Sequence, residues 1–148
     1  MKMAEIVEGF QFMQDAYYWR HGHTWARIED GKVRVGLSSL GAEMAGDIIL
    51  LRYKPVGSSV EQGKAVCTIE TAKWVGGVES PVSGEIVEIN DQARRSPRTV
   101  RKDPYGQGWL ALIKPSKLEA DIENLVSGAG ALDWFREEAR KWIERKKG

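Results

Sequence analysis

Residues 56–89 read VGSSVEQGKAVCTIETAKWVGGVESPVSGEIVEI, and this stretch decides the fold class. Short β-prone runs alternate in it with turns that contain glycine or proline. Such spacing is typical of a β-sandwich or a β-barrel. We predict three strands here, at residues 64–71, 74–80 and 85–90. These strands form two hairpins, at about residues 56–90, and they are the core of the predicted domain.

Lys73 lies at the tip of the first predicted hairpin, in the turn Glu70-Thr71-Ala72-Lys73-Trp74. A lysine in an exposed turn is usually a solubilising residue and nothing more. A lysine on the rigid base of two strands, however, also suits acylation by another enzyme, after which it swings as an arm. The turn alone does not decide between these interpretations. Trp74 either packs under such an arm or fills the hairpin surface.

The rest of the chain extends this β pattern and ends in helices. The Asp30-Gly31 pair supplies the positive φ angles of a tight hairpin turn. Residues 1–22 fit either a helix or an extended segment. The remaining predictions are a hairpin at 25–37, a short helix near 39–45, strands at 47–53 and 109–113, a polar connection at 91–107 and a helical region at about 116–147.

Composition excludes several classes of protein. The 148 residues carry 22 Lys+Arg against 21 Asp+Glu, and 42% of them are hydrophobic, which predicts a single folded domain over 1–148. A net charge of +1 argues against nucleic-acid binding along the whole surface. No apolar run is long enough to span a membrane. The lone Cys67 allows no internal disulfide, so we expect a cytoplasmic protein.

No metal site is expected. His21 and His23 place two imidazoles close together, but no cluster of Cys, Asp or Glu completes a coordination shell around them. Cys67 lies in a strand of small and apolar residues, which indicates a core position rather than a nucleophile.

The hairpin region resembles lipoyl and biotinyl carrier domains. The matching elements are Val56-Gly57, Gly63, Glu70-Thr71-Ala72-Lys73 and Ser80-Pro81-Val82-Ser83-Gly84. Biotin acceptors place the lysine within Met-Lys-Met, whereas Lys73 lies between Ala72 and Trp74, so the resemblance favours lipoate. Met1-Lys2-Met3 imitates the biotin triplet, but it lies at the terminus, outside any hairpin.

The resemblance then extends to glycine cleavage system H proteins over about residues 17–140. Its further elements are His23-Thr24-Trp25, Gly36-Leu37-Ser38, Gly46-Asp47 and Asp103-Pro104-Tyr105-Gly106-Gln107-Gly108-Trp109-Leu110. It implies a mainly β fold, with two antiparallel sheets forming a lipoyl/biotinyl-type barrel-sandwich hybrid, a short helix near 39–45 and C-terminal helices. It also implies covalent lipoate on Lys73 and a carrier that is not itself an enzyme. Glu70, Thr71, Ala72 and Trp74 form the context of the attachment turn.

Three departures from the H-protein pattern bear on the cargo. Thr24 stands where the family usually has Glu, Gly76-Gly77 where an Asp is frequent, and Met44 where a His is frequent. The acids are thought to hold the ammonium of an aminomethyl-loaded arm by charge pairing. Their absence favours a second branch that resembles H proteins, the lipoate-binding proteins of the heterodisulfide-reductase-like sulfur oxidation pathway. The alternatives are a glycine cleavage H protein and an unmodified β-domain that acts as a binding module.

The partners implied by the resemblance follow from these alternatives. A lipoate-attaching ligase or transferase is expected in either pathway. The sulfur branch adds a heterodisulfide-reductase-like complex, dihydrolipoamide dehydrogenase or both, and glycine cleavage adds glycine decarboxylase and aminomethyltransferase. The basic segment Arg94–Lys102 is either a solvated face or a docking patch for acidic partners or an anionic cargo.

Overall fold

The computed structural model describes residues 5–147. Met1-Lys2-Met3 therefore lies outside the described residues. In chain order the elements are β1 (Glu5–Val7), β2 (Phe10–Phe12), β3 (Tyr17–Trp19), β4 (Thr24–Glu29), β5 (Lys32–Leu37), α1 (Ser39–Ala45), β6 (Ile48–Tyr53), β7 (Ser59–Val60), β8 (Ala65–Thr71), β9 (Val75–Glu79), β10 (Gly84–Ile89), α2 (Asp91–Arg95), α3 (Arg98–Lys102), β11 (Ala111–Pro115), α4 (Leu118–Ile122) and α5 (Gly128–Lys147).

Two antiparallel sheets dominate the fold. The larger has the strand order β3-β4-β5-β11-β10-β7, and the smaller has the order β6-β8-β9. A separate pair, β1-β2, lies at the N-terminal end. Both main sheets are open rather than closed barrels. The predicted mainly β sandwich, with a helix near 39–45 and C-terminal helices, is confirmed.

The predicted Asp30-Gly31 turn connects β4 to β5. Its two residues have φ angles of 50° and 78°, and Glu29 pairs with Lys32 across it. The turn residues thus set the register of the whole hairpin, which brings Trp25 opposite Gly36. A Cβ on Gly36 would lie 2.8 Å from the Trp25 ring, so only glycine accommodates the indole there.

The core has two parts. One lies between the two main sheets and contains fully buried aliphatic residues such as Val33, Ile86 and Ile113. The other is aromatic, and in it Phe12 and Tyr18 pack against α5. Ala131, Phe135 and Ala139 are fully buried at four-residue spacing, and they fix α5 on this aromatic core. No helix in residues 5–147 is long and apolar enough to cross a membrane.

Two segments differ from what their sequence indicated. Residues 91–107 are not a plain polar connection, because they contain α2 and α3. The Asn90 side chain caps α2 by accepting a hydrogen bond from the Ala93 N–H, and Ala93 and Val100 bury one side of each helix. In the N-terminal region, for which the sequence allowed either a helix or an extended segment, residues 5–19 contain the strands β1, β2 and β3.

Candidate functional site

The β8–β9 turn presents Lys73 and is braced by Thr71. The Thr71 N–H donates to the Trp74 carbonyl oxygen at 2.9 Å, which closes the turn. The Thr71 hydroxyl oxygen accepts hydrogen bonds from the N–H groups of Lys73 and Trp74, each at 3.2 Å. Both Ala72 and Lys73 are exposed. Thr71 therefore holds the backbone of the turn while the Lys73 side chain projects from it.

The strand that leads into this turn, β8, is the central strand of the smaller sheet. β8 pairs with β6 on one side and with β9 on the other, so the tip cannot bend away without breaking two ladders. Glu70 is half-buried opposite Val75, one step below the turn. Cys67 is 2% exposed, and burial raises the pKa of its thiol to about 12. Cys67 is thus a core residue, as its sequence context indicated.

Trp74 folds back over its own strand. A Cβ on Gly76 would overlap Trp74 Cζ3 and lie 2.8 Å from Cε3, so the indole rests on the bare backbone of Gly76. The side chain remains 43% exposed. The glycine at position 76, which looks like a simple departure from the H-protein pattern, makes room for Trp74.

A cleft of about 320 Å³ opens beside Lys73, and we call it the Lys73 cleft. Its walls come from four distant parts of the chain: the turn residues 71–74, residues 43–47 at the end of α1, Arg101 of α3, and Trp142 and Lys146 of α5. Carboxylates, cations and two indole rings therefore border the same space as the exposed amine. Sequence reasoning singled out the turn, Met44, Gly46-Asp47 and the basic segment that contains Arg101, but it did not bring them together, and it missed Glu43, Trp142 and Lys146 as neighbours of Lys73.

Arg101 binds the two carboxylates of the Lys73 cleft. Its guanidinium donates to Glu43 Oε1 at 3.1 Å and to Asp47 Oδ1 at 2.9 Å. The hydrogen bond to Glu43 raises the pKa of Arg101. Gly46-Asp47 belongs to the motifs that the sequence supplied, but nothing in the sequence placed Arg101 next to it.

The basic segment Arg94–Lys102 is divided between three places. Arg94 and Arg95 form ion pairs with Asp91 on their own helix, and the hydrogen bond from Arg94 lowers the pKa of that carboxyl group. Arg98 and Lys102 line a neighbouring surface pocket of about 470 Å³, next to Asp47. Arg101 alone of the five cations borders the Lys73 cleft.

A smaller pocket of about 160 Å³ adjoins the Lys73 cleft, and we call it the inner pocket; Met44, Ala45 and Trp74 line both. His23 lines this inner pocket, and its Nε2 lies 3.1 Å from Glu138 Oε1 of α5. Burial lowers the pKa of His23, against the opposing effect of Glu138. His23 is thus tied to a carboxylate of the C-terminal helix.

Two of the family's acid positions lie at or near the inner pocket without an acid. Thr24 is 1% exposed, and its hydroxyl oxygen has no hydrogen-bond partner within residues 5–147. Gly77 lines the pocket wall and contributes no side chain. The carboxylates that border the Lys73 cleft are instead Glu43 and Asp47.

Comparisons with known proteins agree with one another. A family model described as "Glycine cleavage H-protein" matches residues 17–138. Among curated proteins, "Glycine cleavage system H protein 2" of Aquifex aeolicus (strain VF5) is 40% identical, with 97% of this chain and 89% of that protein covered. "Glycine cleavage system H protein 5" of the same organism is 46% identical, with coverages of 88% and 90%.

A solved structure shows the same likeness in three dimensions. The crystal structure of a glycine cleavage system H protein from Mycobacterium marinum superposes with a TM-score of 0.66 at 36% identity. The alignment covers 71% of this chain and 87% of that one.

Proposed function

This chain belongs to the glycine cleavage H-protein family, and from that premise we propose that Lys73 carries a lipoyl group and that its cargo is the aminomethyl group of glycine. Members of the family are lipoyl carriers rather than enzymes, and they hold lipoate covalently on a lysine. The observation that carries the proposal is the position of Lys73, exposed at the tip of a Thr71-braced turn within Glu70-Thr71-Ala72-Lys73.

The residues around Lys73 fit a lipoyl group. An exposed amine can form an amide with the carboxyl group of lipoate, and the half-buried Met44 and the indole of Trp74 offer apolar surface to its hydrocarbon chain. Bound lipoate supplies a dithiolane that opens and closes by thiol–disulfide exchange. The protein contributes the fixed turn, because the β6-β8-β9 sheet keeps Lys73 projecting toward a partner.

The carboxylates of the Lys73 cleft support a cationic cargo. An aminomethyl group is protonated near neutral pH, and its hydrogen bonds to carboxylates are then charge-assisted and stronger than neutral hydrogen bonds. Glu43 and Asp47 offer such groups although Thr24 and Gly77 do not. The preference for sulfur oxidation rested on those missing acids, and the names of the related proteins give it no support.

The partners of the proposed function are the enzymes that must reach Lys73. A ligase or transferase would attach lipoate at the turn, with Glu70 and Thr71 as its nearest contacts. Glycine decarboxylase would load the arm, aminomethyltransferase would unload it, and dihydrolipoamide dehydrogenase would reoxidise the dithiol. Each would have to reach the tip of the β8–β9 hairpin, because Lys73 lies there.

A sulfur cargo is the second candidate, and one contact favours it. Arg101 pairs with both Glu43 and Asp47, so one of their two negative charges is compensated, and Lys146 adds a further cation to the cleft. An arm that carries an anionic sulfur species would find that environment more favourable than an ammonium would. Glycine-dependent turnover separates the two candidates.

Mass spectrometry tests the attachment site. The protein would be produced with a lipoate ligase, and its peptides would be mapped in parent, Lys73→Arg and Lys64→Arg. Lys64 is an exposed lysine at the opposite end of the same hairpin, which makes it a matched control. We expect one lipoyl group, on Lys73, in the parent and in Lys64→Arg, and none in Lys73→Arg. Lipoate on another lysine, or on none, contradicts the proposal.

A further inference from the structure

The last turns of α5 reach the Lys73 cleft although they lie beyond the residues that the family model matches. The family model ends at residue 138, whereas α5 continues to Lys147. Trp142 and Lys146, both in this continuation, line the cleft beside Lys73. The buried residues Phe135 and Ala139 anchor the helix immediately before it, so the position of the continuation is fixed.

The two residues form one wall of the cleft. Trp142 is half-buried, with part of its indole packed on the aromatic core. The Lys146 ammonium lies over the indole, 5.4 Å from the ring centroid, which is within cation–π distance. The turn that bears Lys73 lines the same cleft.

The cleft is the right size for a small ligand. At about 320 Å³ it lies near the lower end of ligand pockets, which are roughly 300–1,000 Å³. Because the Lys73 side chain lines the same space, a group attached to its amine is tethered at the entrance. Tethering raises the effective concentration, on the order of millimolar for short linkers, so a weak contact suffices for binding.

We propose that the end of α5 is an intramolecular binding surface for the lipoyl arm, with Trp142 contacting the sulfur-bearing end of the arm, as dithiolane or as dithiol, and Lys146 holding the indole in place. The inference rests on the proposed lipoylation of Lys73. Sulfur atoms pack favourably against aromatic rings, and the half-buried indole supplies such a surface in the same cleft as the attachment point. The arm therefore rests against α5 between visits to partner enzymes.

Alkylation of the reduced arm tests the contact without any partner enzyme. The chain has one cysteine, the buried Cys67, so the arm supplies the accessible thiols. Modification by iodoacetamide would be followed by intact mass in lipoylated parent, Trp142→Ala, Trp142→Phe and Arg145→Ala. Arg145 is the matched control, because it lies one position from Lys146 yet faces a different groove, with Glu137 and Lys141.

Loss of the contact should expose the arm. We expect Trp142→Ala to speed alkylation roughly threefold to tenfold, as for a weak tethered contact, while Trp142→Phe and Arg145→Ala stay near the parent rate. Equal rates in Trp142→Ala and parent overturn the inference. Equal acceleration in Arg145→Ala overturns it too, because the effect would then come from the helix as a whole.

A spectroscopic measurement avoids any dependence on the folding of Trp142→Ala. The indole N–H resonance of Trp142 would be compared between Lys73→Arg and the lipoylated parent, and we expect it to shift when the arm is present. An unshifted resonance in a protein whose mass includes the lipoyl group overturns the inference and leaves the proposed function intact. A mass without the lipoyl group overturns both.

Discussion

The indole of Trp74 lies directly on the backbone of Gly76, two residues along the same hairpin. This contact places the indole over the start of β9, where the ring lines the Lys73 cleft and also the inner pocket that His23 lines. One side chain therefore borders both cavities next to the proposed attachment point. Glycine is required at position 76 because the Trp74 ring occupies the place of a Cβ atom, and not because of an unusual backbone conformation.

Replacing Gly76 with alanine should displace this indole. The added methyl group would overlap Trp74 Cζ3, the far end of a movable side chain, so we expect the ring to swing out and the fold to persist. The Trp74 indole resonance, assigned with Trp74→Phe, reports the movement. Gly77→Ala is the control, because its nearest neighbour is Ala65 Cβ at 3.0 Å and not the indole. An unmoved resonance in Gly76→Ala would contradict the packing described.

Gly84 and Gly130 should respond to alanine in opposite directions. Gly84 has a φ of +157°, and a Cβ there would overlap the Lys114 carbonyl oxygen and lie 2.8 Å from Ile113 Cγ2. We expect Gly84→Ala to lower the free energy of unfolding by about 1–3 kcal/mol. Gly130 is exposed within α5 with nothing near its Cβ position, so Gly130→Ala should raise it by up to about 1 kcal/mol. Urea denaturation would measure both free energies of unfolding. A change of the same sign in the two variants would contradict the prediction.

His23 should make the fold less stable in mild acid. Burial lowers its pKa below the ordinary value near 6.5, so the unfolded chain binds the proton more readily than the folded one. The free energy of unfolding therefore falls as pH drops through about 6.5 toward the lowered value. His23→Gln should lose this part of the pH dependence between pH 7.5 and 5.5, as urea denaturation would measure. A parallel pH profile in variant and parent would argue against a neutral buried imidazole.

Glu43 is the carboxylate expected to matter most for a cationic cargo. Its side chain is 31% exposed, against 94% for Asp47, so its charge is the less screened of the two. We expect Glu43→Gln to speed hydrolysis of the aminomethyl-loaded arm roughly threefold to tenfold, from the loss of a partly solvated charge-assisted hydrogen bond. Glu88→Gln, on the distant strand β10, serves as control. Identical hydrolysis rates in Glu43→Gln and parent would favour the sulfur cargo instead.

Local patterns in the sequence predicted the parts of the fold that local chemistry determines. Asp30-Gly31 set a hairpin register because both residues adopt positive φ there, and Thr71 and Lys73 lie in the turn that their strand pattern required. The attachment turn was therefore predictable from its own residues. Its role as a lipoyl site came from resemblance to a family, not from periodicity.

The walls of the Lys73 cleft were not predictable in this way. Arg101 and Glu43 are 58 positions apart, and α5 reaches the cleft from the end of the chain. Only tertiary packing, through Phe135 and Ala139 on the aromatic core, brings Trp142 to Lys73. The cations of the basic segment Arg94–Lys102 are likewise indistinguishable in the sequence. In the structure, Arg94 pairs with Asp91, whereas Arg101 pairs with Glu43 in the Lys73 cleft.

Glycine-dependent turnover tests the central claim most directly. Lipoylated parent would be compared with Lys73→Arg and with an authentic H protein in a reconstituted system of glycine decarboxylase, aminomethyltransferase and dihydrolipoamide dehydrogenase. At equal lipoylation, we predict that the parent turns over within roughly tenfold of the authentic protein, because one weakened charge contact accounts for a difference of that size. We predict no turnover by Lys73→Arg. No glycine-dependent turnover by fully lipoylated parent would contradict the aminomethyl cargo, and turnover by Lys73→Arg would contradict Lys73 as the carrier.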